Sequence, residues 1–272
     1  MILKTFKDKV VLITGSSRGI GKTTALTMAK KGASIMLNGR NLKKLLEVEK
    51  SIKDIGGKVS FFCCDISDQN QAKELVDYTI KIFGKLDVLI NNAGVSMRGN
   101  FSELNPEVFR AVFDVNVFGS VNTSIHAIPH IRKSKGSVVF VSSVAGIRGL
   151  PNNSAYCSSK MALRAIAESI RIEEVNSNIH VGLIFVGITE IEKEKTTIDK
   201  DGALIILRDR AKRNVQTLAQ VASSIVNNIK KRKFRTTLTG LGRLNAFLQP
   251  ILPDLVERIL IRSNKKIEEK CL

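Results

Sequence analysis

Four polar residues stand where proton chemistry needs them: Asn116, Ser143, Tyr156 and Lys160, at separations of 27, 13 and 4 residues. Tyr156 and Lys160 are i and i+4, so on a helix their side chains share a face. A free phenol titrates near pH ~10. A neighbouring ammonium favours the phenolate and lowers that value, which lets Tyr156 exchange a proton with a substrate oxygen near neutral pH. A serine hydroxyl, from Ser143 or the adjacent Ser142, can hydrogen-bond the same oxygen as charge develops on it.

A second group of residues precedes them. Thr14-Gly15-Ser16-Ser17-Arg18-Gly19-Ile20-Gly21 follows an apolar run and opens a helical pattern. Gly15 permits a sharp turn off the strand, Gly19 lets backbone approach a pyrophosphate, and Gly21 lets the helix pack close to the sheet. Free N–H groups and the helix dipole then favour an anion. The second strand ends Leu37-Asn38-Gly39-Arg40, without the acid that would bind the ribose hydroxyls of NAD. Arg18 and Arg40 suit a 2′-phosphate, so NADPH is expected over NADH.

Joined to Asn91-Asn92-Ala93-Gly94, these motifs resemble the short-chain dehydrogenase/reductase family over roughly residues 6–190. The resemblance implies hydride transfer between a nicotinamide cofactor and a carbonyl or alcohol. It selects Ser143 over Ser142 by the spacing to the tyrosine. It gives Lys160 a second role on the nicotinamide ribose, and it makes Asn116 the holder of a water that links Lys160 to the proton supply. Ser17, Ile20 and Asp65 join the cofactor residues, Asp65 near the adenine. Asn91 steadies the central sheet, while Ala93 and Gly94 leave the cofactor room. After the sixth strand the family reads Pro-Gly and then Thr. Here the chain reads Val186-Gly187-Ile188-Thr189-Glu190-Ile191, so the proline is missing and the usual Thr position falls on Ile191. Gly187, the Ile188 backbone and Thr189 are the substitutes. An Arg just before the second glycine also resembles NADP-preferring members.

The elements that must hold these residues alternate. Apolar runs at 10–14, 33–37, 58–64, 86–90, 137–141 and 180–185 read as buried strands, and amphipathic stretches at 20–31, 42–55, 69–83, 106–133 and 154–175 as helices. Alternation predicts an α/β fold, a doubly wound parallel sheet of Rossmann type covered on both faces. Residues 1–240 are read as one catalytic domain with a charged substrate lid near 190–214, a helix at 218–231 and a short strand at 235–238. Residues 241–272 are read as an amphipathic, helical C-terminal extension.

Composition excludes several classes. The four cysteines form no disulfide framework, and His126, His130 and His180 have no partner at metal-ligand spacing. Cys157 reads as packing, not as a nucleophile. No 18-residue apolar run and no signal peptide is present, so a cytoplasmic enzyme is expected. The net charge of +18 is partly local, with Lys230, Lys231, Arg232, Lys233, Arg235 and Arg243 close together. That patch suits phosphates, an acidic carrier or anionic lipid, or is a solubilising surface. It carries no nucleic-acid motif.

The substrate loops, 95–97 and 144–151, are mostly apolar. The expected reaction is NADPH-dependent reduction of a lipophilic ketone or aldehyde: a lipid-like ketone, a steroid or a 3-oxoacyl thioester. The alternatives are a secondary-alcohol dehydrogenase and a cofactor-sensing module without turnover. Leu244 to Leu260 forms an apolar stripe flanked by Arg243, Arg258 and Arg262. The stripe suits either an anionic membrane surface or packing on its own domain or a subunit. By resemblance, a homodimer or homotetramer is expected.

Overall fold

The structure, a computed structural model, describes residues 5–190, 192, 195–207 and 215–268. Among these, a seven-stranded sheet is parallel throughout. In chain order its first six strands are β1 (Val10–Ile13), β2 (Ser34–Gly39), β3 (Val59–Cys63), β4 (Val88–Asn91), β5 (Ser137–Ser143) and β6 (His180–Val186). A separate antiparallel hairpin follows, β7 (Thr196–Ile198) and β8 (Leu204–Ile206), and β9 (Arg235–Thr237) returns to the main sheet. The spatial order is β3-β2-β1-β4-β5-β6-β9. The order reverses between β1 and β4, and the crevice at that switch point is where such sheets bind ligands.

Strand period 2 divides the core. Val11, Ile13, Ile35, Leu37, Val139 and Ile184 point to one face. There they meet α1 (Gly19–Lys30), α2 (Leu42–Lys53) and α7 (Leu218–Lys230). Leu12, Met36, Leu89, Phe140 and Leu183 point to the other, against α3 (Gln69–Phe83), α5 (Gly119–Ser134) and α6 (Ser154–Glu173). Burial on both faces explains why the strands read as continuous apolar runs.

Local signals set the helix ends. Asn41 and Asp68 cap α2 and α3, Gly84 closes α3 in the left-handed region (φ 76°), and Thr217 with Gln220 forms a capping box on α7.

The structure differs from the reading at two places and adds detail at a third. The stretch 106–133 is not one helix: α4 (Pro106–Phe113) passes through a π-helical turn at Asp114–Phe118 into α5. β5 runs on to Ser143, two residues past the expected end. Within 190–214, the described part is ordered into the β7–β8 hairpin, fastened by Ser96 Oγ to Thr197 Oγ1 (2.8 Å) and by the Arg98 N–H to the Ile198 carbonyl (2.8 Å). The remainder of that segment, Ile191 included, lies outside the described residues. The tail forms two helices, α8 (Gly240–Leu248) and α9 (Pro253–Glu268), and Pro253 opens the second as its missing N–H allows.

Candidate active site

Because all seven strands are parallel, Ile13, Asn91, Ser143 and Val186 end at one edge of the sheet. The glycine loop leaves β1 there. Gly15 has φ +62°, and a Cβ on it would stand 2.7 Å from the Ala93 Cα, so strain and backbone contact both require glycine. A Cβ on Gly21 would stand 2.3 Å from the Gly15 carbonyl oxygen. Ser17 lies in the loop, against Gly39 at the end of β2.

Two residues that motif reading passed over hold the loop. The Asn92 side chain donates to the carbonyls of Thr14 (2.9 Å) and Gly15 (3.0 Å), and the Thr14 hydroxyl accepts from the N–H groups of Asn92 (3.0 Å) and Ala93 (3.1 Å). Asn92 stood in the quoted Asn-Asn-Ala-Gly motif; its polarity beside a glycine turn was the available signal.

Helix α1 begins at this loop with Ile20 in its first turn. Its N-cap is Arg18, whose side chain makes no cap hydrogen bond, and its first turn has no acid. Helices α2, α3, α4 and α7 are each capped by a side-chain oxygen. The α1 terminus thus keeps its N–H donors and positive dipole end for an external anion. The glycine cradle and this uncapped helix fit a dinucleotide pyrophosphate.

At the far side of the crevice, Arg40 and Asp65 form an ion pair (Nη1 to Oδ2, 3.1 Å) with Arg40 well exposed. Ser67 hydrogen bonds and Arg40 hold the Asp65 carboxyl below its usual range, against the opposing effect of burial, the largest single influence. The sequence assigned the two residues separate roles; the structure joins them.

Asn91 ends β4. It is buried, its Nδ2 donates to Ser124 Oγ (2.9 Å) and its Oδ1 accepts from Thr123 Oγ1 (2.7 Å). The side chain ties β4 to α5, which is the sheet-steadying role.

Three of the four polar residues, Asn116, Tyr156 and Lys160, come together beside Gly94. Lys160 is buried, and its Nζ donates to the Val141 carbonyl (3.1 Å) and lies 5.9 Å from the Tyr156 ring centroid. Burial, reinforced by the charge of Lys195, brings the Lys160 pKa down to about 8. Asn116 sits in the π turn. Its Oδ1 accepts from Val95 N (2.8 Å), and its Nδ2 donates to the Val95 carbonyl (3.0 Å) and to Ser159 Oγ (2.9 Å). The wider turn rotates this side chain inward from an otherwise continuous helix. A Cβ on Gly94 would stand 3.0 Å from Asn116 Oδ1 and 3.2 Å from Lys160 Nζ, so both groups crowd against that glycine.

Ser142 and Ser143 separate cleanly. The buried Ser142 hydroxyl donates to the Lys160 carbonyl (2.9 Å), fixing α6 to β5. Ser143, at the strand end, caps the next turn, its hydroxyl accepting from the Ala145 N–H (3.2 Å). Half-buried Tyr156, like Val95 and Ile198, packs against an apolar cluster of Met97, Val108, Val112 and Ala155. Burial raises the Cys157 thiol above its ordinary value, which opposes thiolate chemistry. After β6, a Cβ on Gly187 would strike the Thr239 methyl at 2.5 Å; Ile188 is exposed, and the Thr189 hydroxyl donates to the Gly187 carbonyl (3.1 Å). Among the described residues no His, Cys, Asp and Glu cluster could hold a metal, and no helix is long and apolar enough to cross a membrane.

Known proteins are similar to this chain in sequence and in fold. The chain is 34% identical over 261 residues to 11-beta-hydroxysteroid dehydrogenase 1A of Arabidopsis thaliana, covering 92% of this chain and 73% of the relative. Its fold matches a short-chain dehydrogenase/reductase of Burkholderia phymatum solved with NAD (TM-score 0.81, 21% identity, 92% of this chain and 95% of the other). It also matches the alcohol dehydrogenase of Thermococcus sibiricus solved with 5-hydroxy-NADP (TM-score 0.75, 23% identity, 85% and 95%). Residues 9–203 match the short chain dehydrogenase family. With the glycine loop at the switch point and Tyr156 and Lys160 across it, the chain belongs to the short-chain dehydrogenase/reductase family, oxidoreductases acting on CH–OH and C=O groups.

Proposed function

We propose that this chain is an NADPH-dependent reductase of a lipophilic ketone or aldehyde. The observation that carries the reading is Lys160, a buried amine beside Tyr156 and Asn116 at the carboxyl edge of the sheet. Nothing in core packing favours a buried lysine, since moving its charge out of water is expensive unless a function uses it.

The roles follow from the geometry. Tyr156 delivers the proton to the substrate oxygen, and the Lys160 charge stabilises the phenolate left behind. Ser143 donates to the same oxygen as negative charge builds. Asn116 braces the Val95 turn and sets the path by which Lys160 is reprotonated. A bound dinucleotide would supply the hydride. Gly15, Ser17, Gly19, Ile20, Gly21 and the α1 N-terminus would hold its pyrophosphate, Ala93 and Gly94 would leave it space, and Lys160 would meet the ribose. Gly187, Ile188 and Thr189 would line the nicotinamide side, and Asp65 the adenine side.

The same fold holds 5-hydroxy-NADP in one structure and NAD in another, so the preference rests on Arg18 and Arg40 of this chain. Both are exposed cations at the crevice, and no acid follows β2. Val95, Met97, Val144 and Ile147 make the walls apolar, and the plant relative is named for a steroid alcohol. These favour a steroid, a lipid-like ketone or a 3-oxoacyl thioester. Exposed Ile125, Met161 and Ile172 on α5 and α6 suit a homodimer or homotetramer.

The test is oxidation of NADPH and NADH against carbonyls from small diketones to long-chain and steroid ketones. NADPH-dependent turnover that rises with substrate lipophilicity supports the reading. Turnover with NADH alone, or tight NADPH binding with no turnover on any carbonyl, contradicts it.

A further inference from the structure

The α8–α9 extension exposes an unusual amount of apolar surface for its length. Leu241, Leu244 and Phe247 recur every third residue on α8 and are 73%, 52% and 64% exposed. Leu255 and Ile259 stand four apart on α9 and are 46% and 55% exposed, and Ile251 between the helices is also exposed. Such runs are rare on a monomer surface in water. Few residues hold the extension down: Val256 is buried, and Gly242 is pressed against Val144. Arg243, Arg258 and Arg262 interleave with the apolar residues.

We propose that the α8–α9 face docks on an anionic lipid surface. Charge selects this occupant. A second copy seated on this same face would set Arg243, Arg258 and Arg262 against their own counterparts, whereas anionic headgroups gain from them. The arginine stems can lie along the acyl boundary while their guanidiniums reach the phosphates. The face lies on the surface and does not span: α9 has 16 residues and carries charge through its length.

The place of this face in the fold gives the docking a use. Arg148, in the 144–151 substrate loop, donates to Gln249 Oε1 (2.9 Å) and to the Pro253 carbonyl (3.2 Å) and pairs with Glu257 (3.5 Å). The extension is therefore strapped to one wall of the cleft. The opposite loop, 95–99, is joined to the same wall through the Gly99 N–H and the Asn152 carbonyl (3.2 Å). It carries the β7–β8 hairpin, whose Leu204 and Ile206 are likewise exposed. A lipophilic substrate leaving a bilayer at this face would reach Tyr156 without crossing water.

Flotation of the full chain with vesicles of phosphatidylcholine, alone or with phosphatidylserine added, tests the docking. Its readout is binding, so it stands or falls apart from the reductase reading. Flotation is expected with phosphatidylserine and not without it, weakening as salt rises. The double variant Leu244→Glu, Phe247→Glu should lower partitioning on the order of tenfold or more. Arg258→Gln with Arg262→Gln should reduce the preference for phosphatidylserine. Circular dichroism and an unchanged melting temperature check that each variant is folded. Absence of wild-type flotation on anionic vesicles, equal flotation on phosphatidylcholine alone, or flotation indifferent to the glutamates overturns the proposal. So does sedimentation showing that the glutamates split a dimer while vesicle binding stays the same, which would make the face a subunit contact.

Discussion

Replacing Arg40 by Gln should shift cofactor choice, and the structure gives the size. In the native chain Arg40 pairs with Asp65 at 3.1 Å, both partners are partly exposed, and such pairs contribute about 0.2–1 kcal/mol. A charge-assisted hydrogen bond to a 2′-phosphate contributes about 1.5–3 kcal/mol. To bind the phosphate, the guanidinium must loosen or share the Asp65 contact, so the net preference should be about 1–2 kcal/mol, or roughly 5- to 30-fold. Fluorescence titration of NADPH and NADH into the wild type and Arg40→Gln measures it directly. NADPH binding should weaken by that factor, and NADH binding, which has no 2′-phosphate, should stay within error. An unchanged ratio of the two dissociation constants would refute the reasoning, and the preference would then have to lie with Arg18 alone or not exist. Asp65→Asn is the companion variant: releasing Arg40 from its partner should tighten NADPH binding while leaving NADH nearly alone.

Three further outcomes follow. Gly94→Ala should lower turnover on the order of tenfold or more, because its Cβ would press on Asn116 and Lys160 at 3.0 and 3.2 Å; steady-state kinetics with unchanged activity would show that these groups yield freely. Reductive kcat/KM should fall above pH about 8 as buried Lys160 loses its proton, and Lys195→Met, by removing a nearby charge that lowers that value, should move the fall to higher pH; an unmoved limb would exclude this coupling. Asn91→Ala should destabilise the fold by about 1–3 kcal/mol in urea unfolding, by removing the bonds to Thr123 and Ser124 that tie β4 to α5, while dinucleotide affinity holds; lost affinity with intact stability would give Asn91 a part in the cofactor site.

The glycine loop, the parallel sheet and the partnership of Tyr156 with Lys160 were legible because each is written in short-range pattern: apolar strand runs, turn glycines and an i, i+4 pair. What escaped the sequence depended on longer-range geometry. The π turn that carries Asn116 was hidden because the apolar spacing from 106 to 133 continues across it, and one extra residue per turn leaves no mark in composition. The β7–β8 hairpin was hidden in a charged segment, where its order comes from Ser96 and Arg98, about a hundred residues away. The Arg40–Asp65 pair joins the ends of neighbouring strands 25 residues apart, and no local rule says that the two will meet. The bond from the Ser142 hydroxyl to the Lys160 carbonyl, which fastens α6 to β5, likewise joins residues on separate elements. Asn92 was visible in its motif, yet its role appears only when the Thr14 and Gly15 carbonyls are seen beside it.

The central claim is that Tyr156 is the acid. Single-turnover oxidation of bound NADPH by a ketone taken from the carbonyl panel, in the wild type and in Tyr156→Phe, tests it most directly. The ring packing is kept and only the hydroxyl is lost, so NADPH affinity should be unchanged while the rate falls by about 10²–10⁴. A fall of less than about tenfold, with the cofactor still bound, would contradict the role and leave the proton to another group.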